Sequence, residues 1–208
     1  EKMKILLEAG SAELVEKKSR FIASMASVST PEEAQDFIDA IKKKYWDAKH
    51  NCSAYVIGNE GQYTRCNDDG EPAQTAGLPM LEVLLHSKVR NIVVVVTRYF
   101  GGTLLGTGGL IRAYGHTVKM ALENSVLGEE IEGMMLKIEA DYTDVGKVQY
   151  LLAQKNITII DSVYEQTVTF ILQMRKDVIQ SVIDELVEVT CGRIAIKEKE
   201  ECRFVEKL

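Results

Sequence analysis

Residues 92–114, IVVVVTRYFGGTLLGTGGLIRAY, are the stretch that decides the fold of this chain. The apolar run from Ile92 to Val96 predicts a central strand that is covered on both faces, because its alternating side chains are all apolar. A helical pattern follows from about Leu110. Five glycines stand between the strand and the helix: Gly101, Gly102, Gly106, Gly108 and Gly109. This order of strand, glycine loop and helix predicts backbone N–H groups close to an anion or to another backbone segment.

Two familiar phosphate-binding loops do not fit this sequence. A Walker A loop requires a lysine after its last glycine, and neither Gly106 nor Gly108 is followed by one. A dinucleotide-binding fingerprint that starts at Gly106 requires a glycine where Ile111 stands. Two interpretations remain open. Either the loop binds an anion at the start of the helix, or its glycines only permit positive φ angles and close packing of the helix on the strand.

The distribution of charge favours the interpretation that the loop binds an anion. The net charge of −6 argues against a generally basic nucleic-acid-binding protein, yet no Asp or Glu occurs from Val83 to Leu122. The cations of that stretch are Lys88, Arg90, Arg98, Arg112 and Lys119. Guanidinium groups suit bidentate phosphate contacts. A helix over 108–123 places Arg112, His116, Lys119 and Glu123 on one face. The candidate set for binding an anion or RNA is Arg98, Gly101, Gly102, Gly106, Gly108, Gly109, Arg112, His116 and Lys119.

A second candidate site lies in the polar stretch 58–73, GNEGQYTRCNDDGEPA, which is predicted as a loop. Its carboxylates are able to hold Mg²⁺ through oxygen ligands, to pair with Arg98 or Arg112, or to form a solvated turn. A histidine just before the predicted strand 52–57 is either a hydrogen-bonded structural residue or part of this site. The set is His50, Asp68, Asp69 and Glu71.

No residue is assigned a catalytic role, and no metal or cofactor is assigned. No serine stands in a Gly-x-Ser-x-Gly elbow, and no cysteine has an evident histidine partner. The four cysteines lack the short spacing of zinc ligands. No apolar stretch has the length of a membrane span or the form of a signal peptide, so a cytoplasmic protein with reduced thiols is expected.

The pattern of helices and strands divides the chain into two α+β domains, at 1–130 and 134–208, with a short acidic linker at 128–133. The order of elements in the second domain is βαββαβ, which is the ferredoxin-like arrangement. The Tyr99-Phe100 pair of the first domain is predicted to be buried beside the apolar strand rather than to stack on a nucleic-acid base.

Local signals in the first domain predict a hairpin and a helix. Strands at 11–17 and 20–28 are joined by a tight turn at Lys18-Ser19. Thr30-Pro31 begins a helix, because threonine caps the first turn and proline suits the first helical position. Glu33 is predicted to complete a capping box with Thr30.

Four motifs stand in the first domain: His50-Asn51-Cys52 with Ala54-Tyr55, Asn67-Asp68-Asp69-Gly70-Glu71-Pro72 with Thr75-Ala76-Gly77, Arg98-Tyr99-Phe100-Gly101-Gly102, and Leu105-Gly106-Thr107-Gly108-Gly109-Leu110 with Arg112-Ala113-Tyr114. They closely resemble motifs of the IMPACT/YigZ family. The βαββαβ unit looks like the second domain of the bacterial members, so the resemblance spans the whole chain. One position departs from the pattern, because Gln74 stands where glycine is expected.

The resemblance implies a fold for each domain. The first is expected to take the ribosomal-protein-type two-layer α/β fold, related to domain IV of elongation factor G and to small-molecule kinases of the GHMP type. The second is expected to resemble the ferredoxin-like domains III and V of that factor. Eukaryotic relatives act in translational control, and nucleic-acid or ribosome binding is the usual inference for bacterial members.

The sequence and the resemblance together predict a non-enzymatic, translation-associated regulator that binds RNA or the ribosome through its basic, glycine-rich face. The alternative is a phosphate- or nucleotide-binding protein or enzyme that uses the acidic loop to hold a divalent ion. A third possibility, an adaptor that binds another protein, leaves the least trace in a sequence.

Overall fold

The computed structural model describes residues 2–208, which form two compact units. The first unit comprises the residues up to Glu130 together with Glu206–Leu208, and the second comprises Ile131–Val205. Residues 206–208 fall outside the second unit because the backbone N–H of Leu208 donates to the carbonyl of Leu127 at 2.9 Å. Each unit mixes helices and strands, which confirms the predicted α+β class.

The first unit contains ten complete helices and strands between Lys4 and Glu123, and the next strand begins in this unit. They are β1 (Lys4–Glu8), β2 (Ala12–Glu16), β3 (Ser19–Ser27), α1 (Pro31–Lys44), β4 (His50–Ile57), β5 (Tyr63–Asn67), α2 (Gly77–His86), β6 (Val89–Arg90), β7 (Ile92–Tyr99) and α3 (Gly106–Glu123). That next strand is β8 (Val126–Ala140), which continues into the second unit.

The main sheet of the first unit has the strand order β2-β3-β7-β4-β5, and every neighbouring pair is antiparallel. β7 is its central strand, and the residues from Ile92 to Val96 are fully buried, as predicted. Val94 and Val96 belong to the core beneath α2 and α3, whereas Val93 and Val95 belong to the core beneath α1. Helices therefore cover both faces, which adds a third layer to the two that the resemblance implies.

The turn between β2 and β3 lies one residue earlier than predicted. Glu16 pairs with Ser19, so the two-residue loop is Lys17-Lys18. Both lysines have positive φ angles, 46° and 66°, as a type I′ hairpin turn requires. The start of α1 also differs in detail, because Glu33 accepts a hydrogen bond from the backbone of Ser29 and not from that of Thr30. Thr30 itself caps the helix as predicted.

Two segments predicted to be irregular are strands. The predicted loop 58–73 contains β5, which pairs with β4 from Tyr63 opposite Ile57 to Asn67 opposite Ser53. The predicted linker 128–133 contains the division between the two units, but it lies inside β8, because its backbone is paired within each unit. In the first unit, the short strand β1 pairs with β6 and with the first residues of β8.

The second unit contains the remainder of β8, then α4 (Val145–Gln154), β9 (Thr158–Tyr164), β10 (Val168–Arg175), α5 (Ile179–Val189) and, up to Val205, β11 (Ala195–Lys207). β10 lies between β8 and β9, and β11 pairs with β8. The predicted ferredoxin-like order βαββαβ is confirmed. Its core lies between the helices and one sheet face, where alternate residues of β10 such as Phe170 and Leu172 are fully buried. None of the helices formed by residues 2–208 is long and apolar enough to span a membrane.

Candidate nucleic-acid interface

Arg98 lies near the end of the central strand β7 and is only 6% exposed. Its Nη1 donates to Glu71 Oε1 at 2.7 Å, and its Nη2 donates to Ser19 Oγ at 3.4 Å. The structure therefore places the Arg98 guanidinium against a carboxylate, whereas the sequence predicts a phosphate contact. The guanidinium forms a buried ion pair, which is the alternative that the sequence left open for the acidic loop.

The same carboxylate oxygen of Glu71 has two further neighbours. The Tyr114 hydroxyl donates to it at 2.9 Å, and His50 Nε2 lies 3.6 Å from it. Burial raises the pKa of Tyr114 far above its ordinary value, with the negative charge of Glu71 adding to the effect, so the phenol remains a donor. His50 Nδ1 lies 2.8 Å from the Asp69 carbonyl, which only accepts, so this nitrogen carries the proton. Glu71 is thus the centre of a buried hydrogen-bonded cluster.

The two aspartates of the acidic loop bind backbone N–H groups. Asp68 Oδ1 accepts from Ala76 and Gly77 at 3.1 and 2.8 Å, where α2 begins, and Asp68 Oδ2 accepts from Gln74 at 2.9 Å. Asp68 therefore satisfies N–H groups that the helix itself leaves without partners. Asp69 Oδ2 accepts from the backbone of Asn51 at 2.8 Å.

These contacts engage the oxygens that the alternative prediction assigns to a divalent ion. Among residues 2–208, no group of three or more His, Cys, Asp or Glu side chains is arranged to hold a metal ion. Gln74 sits in this loop with a φ of 64°, in the left-handed region that favours glycine. This backbone conformation explains why glycine is expected at the one position where the sequence departs from the family pattern.

The glycine loop has a structural part and an exposed part. A Cβ on Gly101 would lie 2.1 Å from the carbonyl carbon of Lys18, so this glycine permits a close approach of two backbone segments. Gly106 has a φ of 74° and begins α3. Gly106 and Gly108 are exposed, as is Gly102, whereas Gly109 is half-buried. No side chain caps α3 and no acidic residue lies in its first turn, so no side chain satisfies its first N–H groups.

Three residues of the predicted anion-binding set share the exposed face of α3. Arg112, His116 and Lys119 are all exposed. Arg112 and His116 also line a cleft of about 230 Å³ against the β2 end, where Lys17 and Glu16 contribute to the wall. All three line a groove of about 570 Å³ between α2 and α3, whose floor includes Pro79, Val83 and Ile111 and whose rim includes Glu82. The structure thus brings these three residues together and separates them from Arg98.

Sequence reasoning missed two groups of exposed residues near this face. Lys17 and Lys18 form the hairpin turn, and Lys18 packs its backbone against Gly101. Phe100 is 52% exposed, so the prediction that it is buried is wrong, while Tyr99 is half-buried. The signal was present, because the two glycines after Phe100 provide no side chains to cover its ring.

The chain matches known protein families over both units. The model of the Impact N-terminal domain matches residues 17–122, and the model of a domain of unknown function, DUF1949, matches residues 138–193. The first match spans β3 to α3 and includes the acidic loop and the glycine loop.

Individual relatives support the same assignment. The chain is 44% identical over 200 residues to IMPACT family member YvyE of Bacillus subtilis, covering 96% of this chain and 92% of that protein. It is 40% identical over 164 residues to IMPACT family member YigZ of Escherichia coli, covering 77% and 80%. A crystal structure described as that of a hypothetical protein matches with a TM-score of 0.60 and 33% identity, covering 94% and 96%. On this sequence and structural similarity, the chain belongs to the IMPACT family.

Proposed function

We propose that this protein is a translation-associated regulator that binds RNA in the cytoplasm, free or within the ribosome, through the basic face of α3. The contact residues are Arg112, His116 and Lys119, extended by the Lys17-Lys18 turn. Arg98 takes no part in phosphate contact, because it is buried against Glu71.

The observation that carries the proposal is an exposed basic face on α3. Arg112, His116 and Lys119 are exposed, and no carboxylate occurs on the chain from Leu84 to Ala121. The nearby acids are Glu16 and Glu82, at the borders of the cleft and of the groove, and the exposed Glu123, one turn after Lys119 at the end of α3. Such a face attracts a polyanion even when the whole protein carries a negative net charge. The reason is that dissolved salt screens the repulsion from carboxylates that lie more than a Debye length away.

The start of α3 adds a second, independent attraction. The uncapped N–H groups and the positive end of the helix dipole lie at exposed Gly106 and Gly108. Backbone N–H groups at a helix start commonly contact phosphates in protein–nucleic acid complexes. The family resemblance supplies the setting, since it implies translational control for eukaryotic relatives.

RNA binding and its dependence on salt test the proposal directly. A labelled single-stranded RNA is titrated with the protein over a salt series, and ribosomes are co-sedimented with it in parallel. The variant Arg112→Ala/Lys119→Ala removes two phosphate contacts. We expect it to weaken binding and to reduce the slope of log affinity against log salt by about 1.4, at about 0.7 per contact for a single strand.

A matched control removes the same two residue types elsewhere. Arg65 on β5 and Lys199 on β11 are exposed and lie outside the proposed face. The variant Arg65→Ala/Lys199→Ala is expected to bind RNA with the wild-type slope. Equal losses in the two variants would show that binding follows overall charge and would contradict a specific face on α3.

A further inference from the structure

The ring of Phe100 is presented to solvent on a rigid support. It is 52% exposed at the end of β7. The guanidinium carbon of Arg98 lies 5.6 Å from the centroid of this ring and 5.6 Å from that of Phe21. Arg98 is held in place by Glu71, whose carboxylate it contacts at 2.7 Å. One face of the Phe100 ring therefore rests on a buried, fixed cation, and the open part of the ring faces outward.

A second aromatic side chain stands exposed at the end of α1. Trp46 is 81% exposed. The next residue, Asp47, accepts a hydrogen bond from the Tyr99 hydroxyl at 2.7 Å. The ring of Tyr45 meets that of Tyr99 edge-on with centroids 6.5 Å apart. The segment that carries Trp46 is thus fixed to Tyr99, the neighbour of Phe100 in sequence.

Cations lie beside Tyr99 and beside the backbone that follows Phe100. The Arg20 guanidinium lies 5.6 Å from the centroid of Tyr99. The backbone of Lys18 is in close contact with Gly101, which directly follows Phe100. Lys17, in the same turn, lines the cleft that contains Arg112 and His116. The Lys17-Lys18 turn therefore adjoins both the segment that follows Phe100 and the cleft beside α3.

We propose that Phe100 and Trp46 are stacking sites for the bases of single-stranded RNA, with the neighbouring cations following its phosphates. This inference rests on the proposed RNA-binding function and names the form of RNA that is bound. Exposed aromatic rings among cations are the arrangement with which proteins hold single strands, because every base offers a π-face. Bases within a duplex are stacked on one another and are not available to these rings.

The fluorescence of Trp46 provides a direct measurement, because it is the only tryptophan of the chain. The intact protein is titrated with a single-stranded RNA of about 12 nucleotides, a length within the range of known single-strand sites. The same titration is made with a duplex of equal length and with inorganic polyphosphate, which carries the charge without bases. We expect the single strand to quench Trp46 and the other two to leave its emission nearly unchanged.

Variants at Phe100 test the second ring by the anisotropy of labelled RNA. Phe100→Ala is expected to weaken single-strand binding about fivefold or more, from the measured effect of removing one stacking ring. Phe100→Tyr retains a ring and is expected to bind as the wild type does. Tyr63→Ala is the matched control, since Tyr63 is 58% exposed on β5. Because stacking involves no ion release, Phe100→Ala should keep the wild-type salt slope.

The outcomes separate this inference from the function on which it rests. Quenching by the single strand alone, with weaker binding by Phe100→Ala and restored binding by Phe100→Tyr, supports stacking. RNA binding that depends on Arg112 and Lys119 but leaves Trp46 unquenched and Phe100→Ala unaffected overturns the stacking sites and retains the function. Equal quenching by polyphosphate also overturns stacking. If the wild-type protein binds no RNA, both proposals fail. Thermal unfolding of each variant establishes that it is folded, and the quenching of Trp46 in the wild-type protein keeps the test valid if Phe100→Ala is not.

Discussion

Glu71 and Arg98 form a buried ion pair in which Nη1 donates to Oε1 across 2.7 Å and the side chains are only 2% and 7% exposed. The pair joins the acidic loop to the central strand β7, two segments that the family pattern also marks. Because Tyr114 donates to the same carboxylate oxygen, α3 is attached to this pair as well. Arg98, which the sequence predicts to contact phosphate, thus belongs to a cluster that links the acidic loop, β7 and α3.

Removing Glu71 should destabilise the first unit strongly. Glu71→Ala leaves the Arg98 cation buried without its partner, and breaking a buried pair in this way costs about 3–5 kcal/mol in the free energy of unfolding. Urea denaturation measures the change. The control is Glu13→Ala, because Glu13 contacts Arg20 at the same 2.7 Å but both side chains are about half exposed. An exposed pair of this kind contributes little, so equal losses in the two variants would contradict the role assigned to burial.

The stability of the second unit should decrease in acid through Asp144. This side chain is 1% exposed and accepts two hydrogen bonds from Arg193, at 2.9 and 2.7 Å, which hold its pKa below the ordinary value of 3.8. A carboxyl whose pKa is lower in the folded state stabilises the fold fully above its unfolded pKa. That contribution is lost as the pH falls from about 4 through the lower folded value.

The variant Asp144→Asn tests this dependence. Urea midpoints of the two proteins should differ most at neutral pH, and the difference should shrink as the pH falls below about 4, the ordinary aspartate range. Asp36→Asn serves as the control, because Asp36 is exposed on α1. A difference between Asp144→Asn and the wild type that stays constant down to the lowest pH would contradict the ion pair with Arg193 as its cause.

Much of the fold follows from patterns that lie within single elements. The apolar run at Ile92–Val96 predicts a doubly covered strand, and the βαββαβ order predicts the second unit. The predictions that failed concern segments whose structure depends on pairing with residues distant in sequence. Residues 63–67 carry polar side chains, and only pairing with β4 makes them a strand. Residues 128–133 are acidic like a linker, and only pairing within each unit makes them part of β8.

The candidate site was also predictable only where its geometry follows from a local pattern. Helical spacing places Arg112, His116 and Lys119 on one face, and the structure shows them exposed there. The charge of Arg98 is visible in sequence, but its burial depends on Glu71, which lies 27 residues earlier. Whether an arginine meets a phosphate or a buried carboxylate is decided by such long-range contacts.

Substitution of alanine at two glycines of the loop should change the free energy of unfolding in opposite directions. Gly101→Ala places a methyl group 2.1 Å from the Lys18 backbone, and such overpacking costs about 1–3 kcal/mol. Gly108 lies within α3, and a Cβ there meets only the flexible end of Arg112 at 3.3 Å. Gly108→Ala should therefore stabilise the protein by about 0.5–1 kcal/mol through higher helix propensity.

Chemical denaturation of both variants measures these signs, and RNA binding separates stability from function. Gly108→Ala brings a methyl group to the exposed start of α3, so RNA affinity is expected to fall while stability rises. Stabilisation by both substitutions would show that the loop does not need the close approach at Gly101.

The Lys17-Lys18 turn should show a conflict between stability and binding. Both lysines adopt positive φ angles, 46° and 66°, which cost a non-glycine residue roughly 1–2 kcal/mol. Asn-Gly is the preferred pair for a two-residue turn of this type. The variant Lys17→Asn/Lys18→Gly should therefore raise the free energy of unfolding by about 1 kcal/mol or more.

The same variant removes two cations from the proposed RNA face, so its RNA affinity and salt slope should both decrease. Urea denaturation and RNA titration over a salt series give the two results on one protein. The single variant Lys18→Gly, which retains Lys17 in the cleft with Arg112 and His116, should recover part of the binding. A more stable variant with wild-type binding would mean that the turn lies outside the RNA face. A less stable variant would mean that the two lysines support the fold by contacts other than their backbone conformation.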